Sequence, residues 1–173
     1  VPRGEAVFIA SFWVFRSKSP IMKPKSKPDL VIWGGTALTM EPNQAPISNA
    51  VIEITDDTIT ALYSQKLDKA PRGVANLDAT QSLVIPGLIN THTHAGMSLL
   101  RGICDDKPLD DWLKNYIFPL ERKWSSPAFV DIGTRLACLE FIRSGTTTFN
   151  DMYYFAVKTA KASNDMGLRA LCG

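Results

Sequence analysis

SLVIPGLINTHTH, residues 82–94, is the stretch on which the fold turns. It is a nearly continuous apolar run, of the kind that suits a strand buried on both faces of a parallel sheet, and it becomes polar only at its carboxyl end. His92 and His94 stand at that end and are the only two histidines in the chain. On extended backbone, residues two apart point to the same side, so both imidazoles can face one cation. The carboxyl end of a strand is also where parallel β/α folds place their active sites. Two histidines do not complete a catalytic zinc site, which takes three protein ligands and keeps one position for water. The plainer alternative is a pair of surface or hydrogen-bonded histidines. The Pro86-Gly87 bend, Gly96 just beyond the pair and the lack of any other histidine favour the ligand reading.

Working outward, the loop AGMSLLRGICDDKP (95–108) precedes a helical stretch that starts near Leu109 or Asp110. Trp112, Leu113, Tyr116 and Ile117 give it helical spacing until Pro119 interrupts it. A clearer helix opens at Ser125-Ser126-Pro127, a hydroxyl N-cap before proline, and runs through Ile132, Leu136, Leu139 and Ile142 to a stop at Gly145. TTTFNDM (146–152) reads as a strand, Phe155 to Met166 as a helix ended by Gly167, and LRALC (168–172) as a further strand. Strand and helix in alternation with short links predict parallel β/α units. Upstream, DLVIWGG, TALTM and AVIEITDDTITALYS, the last with a turn at Asp56-Asp57, predict a small antiparallel sheet between Asp29 and Asp78. A closed eight-fold barrel needs about 250 residues, so two complete units and the start of a third are only part of one. Either the units pair with another chain or the remaining strands lie beyond Gly173.

The chain has 173 residues, 45% hydrophobic content and a formal charge of +2, which sets it among globular proteins and apart from disordered or collagen-like ones. Residues 1–28 hold six Lys/Arg against one acid, leaving thirteen bases against sixteen acids in residues 29–173. The folded part is mildly acidic, which argues against a nucleic-acid partner. Cys104, Cys138 and Cys172 are odd in number and form no C-x-x-C pair, so the simple reading is a reducing, cytoplasmic compartment. The run Ala6 to Phe15 is too short to span a bilayer as a helix and is followed by basic residues rather than a small-residue cleavage site, so no membrane role is expected. Residues 1–28 are read as a poorly ordered leader, with 1–21 as extra sequence, followed by a β subdomain over 29–80 and β/α units over 81–173.

LVIPGLINTHTHAGMSLLRG (83–102) resembles the metal-binding opening of the amidohydrolase superfamily, whose members carry an H-x-H pair at the end of the first barrel strand. DDWLKNYIFPLERKW and SGTTTFNDMYYF resemble the branch that deaminates S-adenosylhomocysteine and methylthioadenosine, with chlorohydrolases close by. The resemblance spans about Asp29 to Cys172. It implies that His92 and His94 bind one divalent metal, most often zinc, that Glu121 accepts hydrogen bonds from ribose hydroxyls, and that Trp112 walls the pocket. Read from the residues alone, Glu121 is equally a solvated helix-end carboxylate and Trp112 an ordinary core residue. Asp151 reads more readily as an Asx turn or helix N-cap than as a site residue, and Asn150 likewise. Asp105-Asp106 and Asp110-Asp111 read as solvated loop and helix-start acids.

The expected fold is therefore α/β, a partial TIM-type (β/α) barrel preceded by a small N-terminal β subdomain. The expected function is a metal-dependent aminohydrolase acting on an adenosine-like small molecule. The resemblance implies attack by a metal-activated water on the amino-bearing purine carbon, with a carboxylate relaying the proton. The family's other ligands and that carboxylate have no counterparts among these residues, so no catalytic acid or base is assigned. The alternatives are a chlorohydrolase or other heterocycle amidohydrolase, and an inactive fragment or assembly module. An open sheet edge further predicts a homo-oligomer or aggregation of the isolated chain.

Overall fold

The computed structural model describes residues 6–9, 27–71 and 74–173. By compactness the chain divides into two units, Val1–Gly87 and Leu88–Gly173. Of the expected leader, Ala6–Ile9 (β1) forms a strand; the expectation of poor order over its other residues up to 26 lies outside the described residues.

In the first unit β2 (Leu30–Trp33), β4 (Ala50–Thr55), β5 (Thr58–Ser64) and β6 (Ala75–Asp78) make one sheet in the order β5-β4-β2-β6. β4 and β5 form the expected hairpin around Asp56-Asp57, with Asp56 in the left-handed region at φ 52°. The sheet is mixed rather than purely antiparallel, because β6 lies parallel to β2. A second sheet joins β1, β7 (Leu83–Pro86) and β3 (Thr36–Ala37) in parallel, with β7 in the middle. Alternate residues Ala50, Ile52 and Ile54 meet Ile32, Ala37, Ala79 and Val84 in one buried cluster on one face of the strand, while Val51 is buried on the other.

The decisive run 82–94 is not one strand. β7 ends at Pro86, and β8 (Leu88–Thr93) begins after Gly87 in the second unit. Pro86 has no N–H to donate and fixes its own φ, so a ladder is readily ended there. Nor is β8 buried on both faces. It pairs with one neighbour in the three-stranded sheet β10-β9-β8, and Ile89 is 68% exposed.

That sheet is parallel: β9 (Thr146–Asp151) lies between β8 and β10 (Arg169–Cys172). The helix α3 (Pro127–Ser144) links β8 to β9, and α4 (Ala156–Asp165) links β9 to β10. This is the expected α/β alternation. The Ser126 hydroxyl accepts the Phe129 N–H at 3.2 Å, as an N-cap should, and Gly145 closes α3 at φ 81°. Ala95, Ala137, Cys138, Phe149 and Leu168 form the core between α3 and the sheet.

Pro119 does not interrupt its helix. Helical backbone continues from α1 (Leu109–Asp111) through a π-helical segment, Trp112–Ile117, into α2 (Phe118–Trp124). The Phe118 N–H bonds to the Leu113 carbonyl, one residue further back than in an α-helix. The widened turn shifts the carbonyls that the Pro119 ring would otherwise strike, so the helix absorbs the proline as a bulge instead of breaking.

Candidate active site

The carboxyl end of β8 is irregular. Its register with β9 shifts between Asn90 and Thr93, so Thr91 and His92 fall outside regular pairing. Bulges of this kind re-aim side chains. The loose backbone groups are taken up locally: the Asn150 amide donates to the Thr91 carbonyl at 3.1 Å, and the His92 N–H donates to the Asn90 side chain at 3.2 Å. Asn150 therefore serves the strand junction rather than an Asx turn.

His92 is exposed and His94 half-buried, and their rings lie 5.0 Å apart between centroids at 84° to one another. His94 Nδ1 is 2.7 Å from the Met152 carbonyl. A carbonyl only accepts, so Nδ1 is the donor in this bond and Nε2 is left for another partner. The chain then turns into a 3₁₀ segment, Ala95–Leu100, where the Met97 N–H returns to the His94 carbonyl at 2.9 Å. Space behind the pair is tight: a Cβ on Gly96 would lie 2.7 Å from the Tyr153 ring, and one on Gly133 of α3 would run into the Gly96 carbonyl.

Asp151 corrects the cap reading. The position before α4 is Phe155, not Asp151. Asp151 is 2% exposed and sits on the same face of β9 as Phe149. One of its oxygens accepts the Ala95 N–H at 2.6 Å and the Thr93 hydroxyl at 2.8 Å; the other, Oδ2, is buried with no hydrogen-bond partner.

Glu121 lies on α2 and is 7% exposed, so it is not a solvated helix-end carboxylate. It neighbours Tyr153, whose ring is 6.4 Å from that of His94. Burial pushes the Tyr153 phenol above its ordinary value; the Ser125 hydroxyl opposes that rise and the Glu121 carboxylate adds to it. The phenol faces both groups without a well-formed hydrogen bond to either, and the Ser125 hydroxyl is likewise buried without a partner. His92, His94, Tyr153 and Glu121 thus follow one another across one face of the second unit. Trp112 is fixed by a different contact, its half-buried indole donating to the Ile103 carbonyl at 3.3 Å. Asp110 pairs with Lys114, and Asp111 accepts the Asn115 amide, as solvated helix-start acids do. The sequence marks Ser125 only as part of the start of α3 and does not single out Tyr153 as a site residue, since neither stands in a recognisable spacing.

The donor set suits a divalent cation. At ligand distances of about 2.0–2.1 Å and a tetrahedral angle, two imidazoles on one zinc ion place their centroids about 5 Å apart. A ligating histidine also ordinarily donates its other ring N–H to a carbonyl or carboxylate, as His94 does. Among the described residues no group of three His, Cys, Asp or Glu side chains is gathered, so the two histidines are a partial set. No described helix is long and apolar enough to cross a membrane.

Comparison with known proteins places these residues in context. The amidohydrolase family profile matches residues 83–173, just over half of the chain. The chain is 44% identical over 146 residues to a 5-methylthioadenosine/S-adenosylhomocysteine deaminase of Syntrophus aciditrophicus, covering 84% of this chain and 33% of that protein. It is 44% identical over 145 residues to a 5′-deoxyadenosine deaminase of Methanosarcina barkeri, covering 83% and 33%. Among solved structures, an adenosine deaminase from Xanthomonas campestris with bound zinc matches at 35% identity and a TM-score of 0.69, covering 86% of this chain and 34% of that one. The chain spans about a third of the length of the curated relatives it matches.

Proposed function

The chain belongs to the amidohydrolase family, and we propose that it forms the opening strands of a (β/α)-barrel aminohydrolase that releases ammonia from an adenosine-like nucleoside such as methylthioadenosine or S-adenosylhomocysteine. The names carried by its relatives at 44% identity support the substrate class. The observation that carries the reading is the His92–His94 pair, 5.0 Å between ring centroids at the carboxyl end of a parallel strand, with one ring oriented by a backbone carbonyl.

In this reading His92 and His94 hold one divalent cation, zinc by chemistry and by the zinc-bound relative. Such an ion acts as a Lewis acid and lowers the pKa of a bound water. The chain's own part is orientation. The Met152 carbonyl fixes the His94 ring, and the close approach of Gly133 to Gly96 holds the backbone behind it. Glu121, buried beside Tyr153, offers its carboxylate to the ribose hydroxyls. Trp112 contributes a ring face to the pocket wall, since its N–H is already engaged.

The test is ammonia release by the intact protein from methylthioadenosine, S-adenosylhomocysteine and 5′-deoxyadenosine, beside chloride release from a chlorotriazine. Nucleoside deamination that falls by at least about a thousandfold in His94→Ala supports the reading. Turnover of the chlorotriazine alone overturns it in favour of a chlorohydrolase.

A further inference from the structure

The end of the neighbouring strand and the residue after it grip the histidine segment at four points. The Asp151 carboxylate takes the Ala95 N–H at 2.6 Å and the Thr93 hydroxyl at 2.8 Å, the residues on either side of His94, the single hydroxyl proton being shared with the Asn150 carbonyl at 3.0 Å. The Met152 N–H donates to the Thr93 carbonyl at 3.1 Å, and the Met152 carbonyl takes the His94 ring proton at 2.7 Å. All of these bonds bypass the bulge at Thr91–His92, where the regular ladder between β8 and β9 lapses. A side chain in a bulged, half-paired strand end would ordinarily swing among rotamers. Here the residues on both sides of His94 are tied to one carboxylate, Ala95 by its backbone N–H and Thr93 by its hydroxyl.

We propose that Asp151 is a positioning residue: from the end of β9 it fixes the residues flanking His94, Ala95 by its N–H and Thr93 by its hydroxyl, and so the direction in which that imidazole presents its other nitrogen. This rests on the reading of His92 and His94 as cation ligands. Two features make a purely structural role insufficient. A carboxylate is not needed merely to fill the space, since Phe149 on the same face is ordinary core. Burying a carboxyl group with one oxygen left unpartnered is costly, and the contacts of its other oxygen must offset that cost. Those contacts, at 2.6 and 2.8 Å, are short, which suits a geometric constraint.

The test uses the intact protein and three variants, Asp151→Ala, Asp151→Asn and Thr93→Val, with His94→Ala as control. The readouts are zinc affinity by chelator competition, the visible spectrum of the cobalt-substituted protein, and the melt of the metal-free protein. Loss of a group that orients a ligand lowers metal affinity about 10–100-fold. Asp151→Ala is expected to show that loss and an altered cobalt spectrum while still melting cooperatively. Asp151→Asn, whose carbonyl can accept both bonds, is expected to restore most of the affinity, and Thr93→Val to weaken it by less than Asp151→Ala. If Asp151→Ala does not fold, the other two variants decide the question: Thr93→Val with wild-type affinity and spectrum overturns the proposal. So does a folded Asp151→Ala with both unchanged. Wild-type protein whose zinc affinity is indifferent to His94→Ala overturns instead the ligand reading beneath it.

Discussion

Gly133 of α3 lies against the carbonyl of Gly96, so closely that a Cβ on Gly133 has no room between helix and loop. The contact sets how near α3 approaches the segment that follows His94. A methyl group there must push backbone aside, and overpacking of this kind costs about 1–3 kcal/mol. Gly133→Ala should therefore lower the melting temperature by several degrees and, if the histidines bind metal, reduce zinc affinity. A melt within one degree of wild type would contradict the geometry.

The N-cap of α3 offers a cleaner measure of local stability. Ser126→Ala removes the hydroxyl that accepts the Phe129 N–H and should cost about 1 kcal/mol. Ser126→Asp should recover it, because a carboxylate caps and also complements the helix dipole. Equal denaturant midpoints for all three proteins would count against the cap.

Tyr153 and Glu121 separate folding from function. The Tyr153 hydroxyl is buried without a well-made hydrogen bond, so Tyr153→Phe should leave stability nearly unchanged or slightly improved. Glu121→Gln keeps the shape but discards the charge. Under the proposed function it should lower kcat/KM for nucleosides by about 10–100-fold, the value of hydrogen bonds to a charged group. The reverse pattern, with Tyr153→Phe unfolding and Glu121→Gln fully active, would remove Glu121 from the substrate site.

Asp165 predicts an acid limb in stability. Its carboxyl is held below the usual range first by its hydrogen bond to Lys161 and then by that to Arg135, which reaches across from α3. A depressed pKa in the folded state favours folding at pH above the ordinary carboxylate range, and that contribution disappears as pH falls through the depressed value. Asp165→Asn should therefore melt below wild type at neutral pH and converge with it in acid. Parallel curves down to the acid limit would contradict the assignment.

Much of this was legible from the residues. The hairpin at Asp56-Asp57, the caps of α3 and the order of strands and helices after residue 87 follow from turn chemistry and periodicity, and the structure has them. The misreadings have physical causes. An apolar run reports burial but not which sheet supplies the partner, so β7 and β8 looked like one strand. In α3 the eye follows Ile132, Leu139 and Ile142, yet these are exposed, and Val130, Gly133, Thr134, Ala137 and Cys138 face inward. Close approach selects small residues, which hydrophobic periodicity underweights. Asp151 was hidden for a similar reason. In TTTFNDM it alternates with Phe149 and Thr147, a signal that it shares their buried face, but an acid before a helix looks first like a cap.

The π-helical segment at Trp112–Ile117 makes the chain length there less consequential than in the α2 helix that follows. Each i→i−5 turn takes up one residue more than an α-turn, so the extra residue is absorbed within the segment. Removing one residue from it would let the rod relax into plain α-helix while Glu121, downstream, kept nearly its present direction. A deletion inside α2 has no such slack and would turn Glu121 by about 100° off Tyr153. A single-codon deletion should thus be tolerated within Trp112–Ile117 and should silence the carboxylate when placed between Phe118 and Glu121.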